Sequence, residues 1–96
     1  MMIRQGDILL HTTTIPPSAI LKKRGEITLA FGEATGHRHI LRNAQLLESP
    51  EQSYVKLETP SLLTHEEHAT VEIPVGEYVV IRAREYTPEA PRQIAD

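Results

Sequence analysis

Apolar and polar positions alternate along most of this chain with a period of two, and breakers cut the pattern into short pieces. Gly at 6, 25, 32, 36 and 76 and Pro at 16, 17, 50, 60, 74, 88 and 91 leave segments of about 5–10 residues. That is the length of strands rather than of helices. The cleanest alternation spans 26–33. Ile27, Leu29 and Phe31 share one face there, and Glu26, Thr28 and Ala30 share the other. Val55 and Leu57 mark the inner face of a strand over 53–58, and 77–86 is the longest candidate. Further strands are predicted over 3–5, 8–14, 37–42 with a continuation at 45–48, 62–65 and 69–73.

The connections follow from the breakers. Gly6-Asp7, Ala34-Thr35-Gly36 and 49–52 read as turns, and Pro74-Val75-Gly76 as a hairpin turn. Pro16-Pro17 stops the strand before it, because proline cannot donate to a ladder. The stretch 18–24 fits either one helical turn or a loop. Seven or eight short strands without a helix define an all-β protein, a small antiparallel β-barrel or two-sheet sandwich. The expected organisation is one β domain over 1–86 and a polar, Pro-containing tail over 87–96.

Composition narrows the class. With 96 residues and 40% hydrophobic content, one domain is expected. A chain this size buries only about 60–65% of its unfolded surface, so a metal or a partner subunit would add materially to stability. There is no cysteine, which excludes disulfides, thiolate metal sites and a cysteine nucleophile. No apolar run approaches the ~20 residues of a membrane span. The first residues, Met1-Met2-Ile3-Arg4-Gln5, carry no signal-peptide segment, and a cytoplasmic protein is expected. A net charge of −3 argues against a general polyanion binder, and a 4% aromatic content without Trp argues against base stacking.

Four of the five histidines fall in two clusters, Thr35-Gly36-His37-Arg38-His39 and Thr64-His65-Glu66-Glu67-His68. Residues two apart on a strand share a face, so His37 and His39 are expected to point together. His65 and His68 are three apart and converge only on a helical turn or a bulge. Imidazole suits zinc, nickel or iron, and three histidines with an open position can activate water. Glu66 and Glu67 are the candidate fourth ligand or general base, and Glu33 is a further carboxylate nearby. The alternative is that these histidines are exposed or hydrogen-bonded residues without a ligand. His11 stands apart and is read as structural or exposed.

Arginines form a second constellation. Arg82 and Arg84 share one face of the last strand, and Arg38 and Arg42 flank the first histidine cluster. Together they could hold a phosphate or carboxylate through paired N–H groups. Cross-strand pairing with Glu26, Glu72 or Glu77 is the structural alternative. Lys22-Lys23-Arg24 reads as a solvated run.

Two resemblances attach to these motifs. Gly36-His37-Arg38-His39, His65-Glu66-Glu67-His68, Ile73-Pro74-Val75-Gly76-Glu77-Tyr78 and Arg84-Glu85-Tyr86 resemble a group of short bacterial and phage-encoded β proteins without a settled activity. That likeness implies a phage or mobile-element context. A looser likeness is to cupins, small β-barrels in which a Gly, a His-x-His, a Glu and a later His hold a metal. Gly32, His37, His39, Glu48 and His65 or His68 would occupy those places. The spacing from Gly32 to His37 is one residue short and Glu48 is too far from His39, so the likeness extends to architecture and ligand type only.

The leading expectation is a metal-binding β protein built on His37, His39 and His65 or His68, with hydrolysis of a small or phosphorylated substrate as its natural chemistry. The rival is a module without chemistry that acts as a homo-oligomer or an accessory to a larger assembly. A third is an RNA- or phosphate-binding barrel using Arg38, Arg42, Arg82 and Arg84.

Overall fold

The computed structural model describes residues 1–31 and 38–82, with eight strands and no helix among them. In chain order these are β1 (Met2–Gln5), β2 (Ile8–Thr12), β3 (Ile20–Phe31), β4 (Arg38–Glu48), β5 (Ser53–Leu57), β6 (Ser61–Thr64), β7 (Val71–Ile73) and β8 (Gly76–Arg82). All pairings are antiparallel, in the order β1-β2-β8-β5-β4-β6-β7, with β3 on β4 as well. The long strand β4 organises the sheet. One of its edges carries β3. The other carries β6 opposite Ile40 and Leu41, then β5 opposite 45–48. One strand serving two successive partners curls the sheet into a small, nearly closed barrel.

The interior follows the alternation. Ile27 and Leu29 of β3, Val55 and Leu57 of β5, Ile8 and Leu10 of β2, and Tyr78 and Val80 of β8 are all buried in one cluster with Leu41, Leu63 and Ile73. Each such side chain contributes about 1.5–3 kcal/mol through its removal from water. Tyr78 is fully buried, and its hydroxyl donates to the Pro74 carbonyl at 2.8 Å.

Two local expectations need correction. The stretch 18–24 is neither helix nor simple loop. After a turn in which Ala19 N–H donates to the Pro16 carbonyl, the chain enters β3 at Ile20 and continues through Gly25. The exposed Lys22, Lys23 and Arg24 thus lie on a strand. The expected continuation of the strand after Arg42 into 45–48 is found: Arg38–Glu48 is one strand, β4, with Asn43 at φ 55°. Pro74-Val75-Gly76 is not a hairpin turn. β7 pairs with β6, whereas β8 pairs with β2 and β5, so this link carries the chain between strands that are not neighbours. A short Gly-containing linker looks the same in sequence whether or not its flanks pair.

Bulges explain why simple alternation fails near His39. Glu26 of β3 stands opposite two residues of β4, Arg42 and Asn43, between the pairs Gly25↔Ala44 and Ile27↔Leu41. The freed Arg42 carbonyl accepts the Ser61 hydroxyl. Leu29 is likewise extra between Thr28↔Ile40 and Ala30↔His39, and its carbonyl accepts from Arg82 Nη2 at 2.7 Å. Bulges of this kind re-aim side chains. Here His39, Ile40 and Leu41 are buried in succession. Among the described residues, no helix is long and apolar enough to cross a membrane.

Candidate functional site

The site starts at the turn between β1 and β2. Gln5 pairs with Ile8, which leaves Gly6 and Asp7 as a two-residue connection. Gly6 has φ +60°, a left-handed conformation that glycine adopts at little cost. A side chain here would also displace His68. A Cβ at position 6 would lie 2.5 Å from His68 Nε2 and 3.2 Å from His39 Cε1. Two imidazoles therefore pack directly on the backbone of this turn.

His39 is the buried member of the cluster, only 3% exposed. Gln5, buried to the same degree, decides its tautomer. The Gln5 amide nitrogen donates to the carbonyls of Leu63 at 2.8 Å and Ala69 at 2.9 Å. Carbonyls only accept, so the amide cannot be reversed, and its oxygen is the atom facing His39 Nδ1 at 2.9 Å. Nδ1 must then carry the proton. The other nitrogen, Nε2, lies 3.2 Å from Asp7 Oδ1. Burial, and next the nearby His65, push the His39 pKa below its ordinary 6.5. The Asp7 carboxylate opposes this with a smaller effect, and His68 adds to the lowering. At neutral pH His39 is uncharged, and its Nε2 lone pair faces a carboxylate oxygen.

His65 and His68 complete the group from the connection between β6 and β7. Their ring centroids lie 4.4 Å apart, and His39 lies 4.3 Å from His65 and 5.9 Å from His68. A spacing of three converges here because the chain leaves the strand after Thr64. His65 Nδ1 accepts from the Glu67 backbone N–H at 3.0 Å. Neutral His65 therefore carries its proton on Nε2, the opposite tautomer to His39. His65 is half-buried and His68 exposed. Among the described residues, no three His, Cys, Asp or Glu side chains are already gathered as a metal-holding set.

The other expected residues are distributed unevenly. His37, Glu33 and Arg84 lie outside the described residues, as does the tail. Glu66 is exposed and accepts from the Arg38 backbone N–H at 2.9 Å. Glu67 acts on the cluster through its main chain. Arg42 donates to Thr64 Oγ1 at 3.0 Å and stands 3.8 Å from Glu26, one of the expected cross-strand carboxylates. Arg82 reaches Leu29 instead of this face. Glu48 closes the far end of β4, opposite Ser53, remote from His39. His11 is exposed, and its Nδ1 is 2.9 Å from the Thr12 carbonyl.

Gln5 and Asp7 escaped the sequence reading as site residues. The Gln5-Gly6-Asp7 triplet looks like an ordinary strand end and turn. The available signal was an amide and a carboxylate flanking the one glycine that ends the first strand.

The molecule is thus a small all-β barrel with an imidazole cluster at one turn, backed by a buried amide. A family model described as a domain of unknown function (DUF8820) matches residues 4–83, and the chain belongs to that family. No curated protein and no solved structure matches the chain.

Proposed function

We propose that this protein binds a divalent transition metal ion through Asp7, His39 and His68, with His65 beside it as a hydrogen-bond donor. The observation that carries the reading is the orientation of Gln5. It commits His39 Nδ1 as a donor and leaves Nε2, an acceptor, 3.2 Å from another acceptor, Asp7 Oδ1. Two acceptors at that distance repel unless a positive particle lies near both. Ligands about 2.0–2.1 Å from one tetrahedral ion stand about 3.3 Å apart, so the observed spacing suits a shared cation. A ligating histidine usually donates its second N–H to a fixed acceptor, as His39 does to Gln5.

His68 supplies the third ligand by a rotation of its exposed side chain, starting from its place over Gly6. Two imidazoles and one carboxylate leave a position for water, and such a set suits zinc, nickel or iron and favours hydrolytic chemistry. His65, protonated on Nε2, is suited to donate a hydrogen bond to an oxygen bound beside it. The carboxylates of Glu66 and Glu67 stay outside this ligand set.

Elemental analysis of protein purified without chelator tests the reading. About one equivalent of metal per chain is expected, lost in His39→Ala. Asp7→Asn keeps the size of the side chain at a partly exposed position, and it should fold normally and lose the metal. Absence of metal, together with no zinc, nickel or iron uptake by chelator-treated protein, overturns it.

A further inference from the structure

We propose that the groove between β4 and β6, beside the imidazole cluster, binds a single phosphate group carried on a small molecule. Its walls are Arg38, Ile40, Arg42, Thr64, His65 and Glu66, and it encloses about 330 Å³. That lies at the lower end of small-ligand sites. Buried Ile40 forms the floor between two exposed arginines.

The guanidinium groups are placed for an anion. Among the described residues the Arg38 side chain makes no hydrogen bond or ion pair, and only its backbone is engaged, with Glu66. Arg42 is steadied by Thr64 at Nη1, while its Nη2 stands 3.8 Å from Glu26 with both side chains half-exposed, a weak pair in water. Most of its donors remain available. Arg38 and Arg42 lie four residues apart on one strand, about 13 Å along it, and both line the groove on either side of Ile40. Planar guanidinium forks match phosphate oxygens.

Two features set the size and class of the ligand. Glu66 contributes a negative charge to the same groove, so two arginines leave a modest local excess of positive charge. With a net charge of −3 on the whole chain, this suits one phosphate group and not a nucleic-acid backbone. His65 is at once a wall of the groove and a neighbour of His39, at 4.3 Å between ring centroids. A phosphate held by the arginines therefore abuts the cluster. That the phosphate belongs to a substrate for hydrolysis rests on the metal reading above, whereas its binding does not.

Inorganic phosphate is titrated into chelator-treated protein at low salt, followed by calorimetry and by amide shifts in the nuclear magnetic resonance spectrum. Saturable binding is expected, with the largest shifts at residues 38–42 and 64–66. R38Q and R42Q should each weaken it at least roughly tenfold with unaltered melting temperature. Asp7→Asn should leave it intact while abolishing metal uptake, which separates the two readings. No saturable binding, wild-type affinity in both arginine variants, or tighter and steeply salt-dependent binding of a single-stranded oligonucleotide overturns the proposal.

Discussion

The side-chain oxygen of Gln5 lies 2.9 Å from Nδ1 of His39, across a sequence separation of 34 residues. The same amide holds the carbonyls of Leu63 and Ala69. One side chain thus satisfies polar groups from three segments, two of them in buried bonds. Gln5→Leu strips partners from all of them and should lower stability by about 2–4 kcal/mol, read by chemical denaturation. Because the amide also orients His39, metal affinity should fall by about 10–100-fold in any folded fraction. Wild-type stability in this variant would show that water replaces the amide.

Gly6→Ala tests the packing of the imidazoles on the turn. The added methyl would stand 2.5 Å from His68 Nε2, on a residue with φ +60°. The backbone conformation alone costs about 1–2 kcal/mol. His68 must also move, but its side chain is exposed, so the backbone conformation dominates the loss. His68→Ala tests the ligand directly: metal uptake should be lost, and full metal content would show that His68 is not a ligand.

Acid should destabilise the chelator-treated protein through His39. The group lies below its ordinary 6.5 in the folded state, while the unfolded chain takes up the proton near that value. Between the two, the unfolded state binds more protons, so stability rises with pH across that window. Melting temperature should fall as pH drops from neutrality through 6.5, with the loss complete below the folded value. His39→Gln should flatten the dependence. A wild-type profile with no slope between about pH 5 and 7 would contradict an uncharged His39.

Tyr78 gives an independent alkaline signature. Burial raises its pKa above the ordinary 10.0. The unfolded chain loses the phenolic proton first, so stability declines as pH climbs past that value. Tyr78→Phe should remove this alkaline loss. It should also cost roughly 1 kcal/mol near neutrality, from the bond to the Pro74 carbonyl. Retained alkaline sensitivity in the variant would place its origin elsewhere.

The strands were readable where one face is buried and the other wet, as at Ile27 and Leu29 or at Val55 and Leu57. Alternation carries no information about which strands pair. The Pro74-Val75-Gly76 link therefore passed for a hairpin, although β7 and β8 do not meet. At Glu26 and Leu29 bulges shift the register, and consecutive burial of His39, Ile40 and Leu41 breaks the period of two. The histidines stood out because imidazoles are rare and clustered. Gln5 and Asp7 did not, because their importance comes from the approach of β1 to the β6–β7 connection.

The donors around His39 come from the first turn, the middle of the chain and the connection after β6. No fragment of the barrel contains them all. An ion or ligand that engages them together acts as a reversible cross-link over two long loops, and closing long loops restricts the unfolded chain most. Its binding energy would therefore appear as stability of the entire fold, in proportion to the logarithm of its concentration.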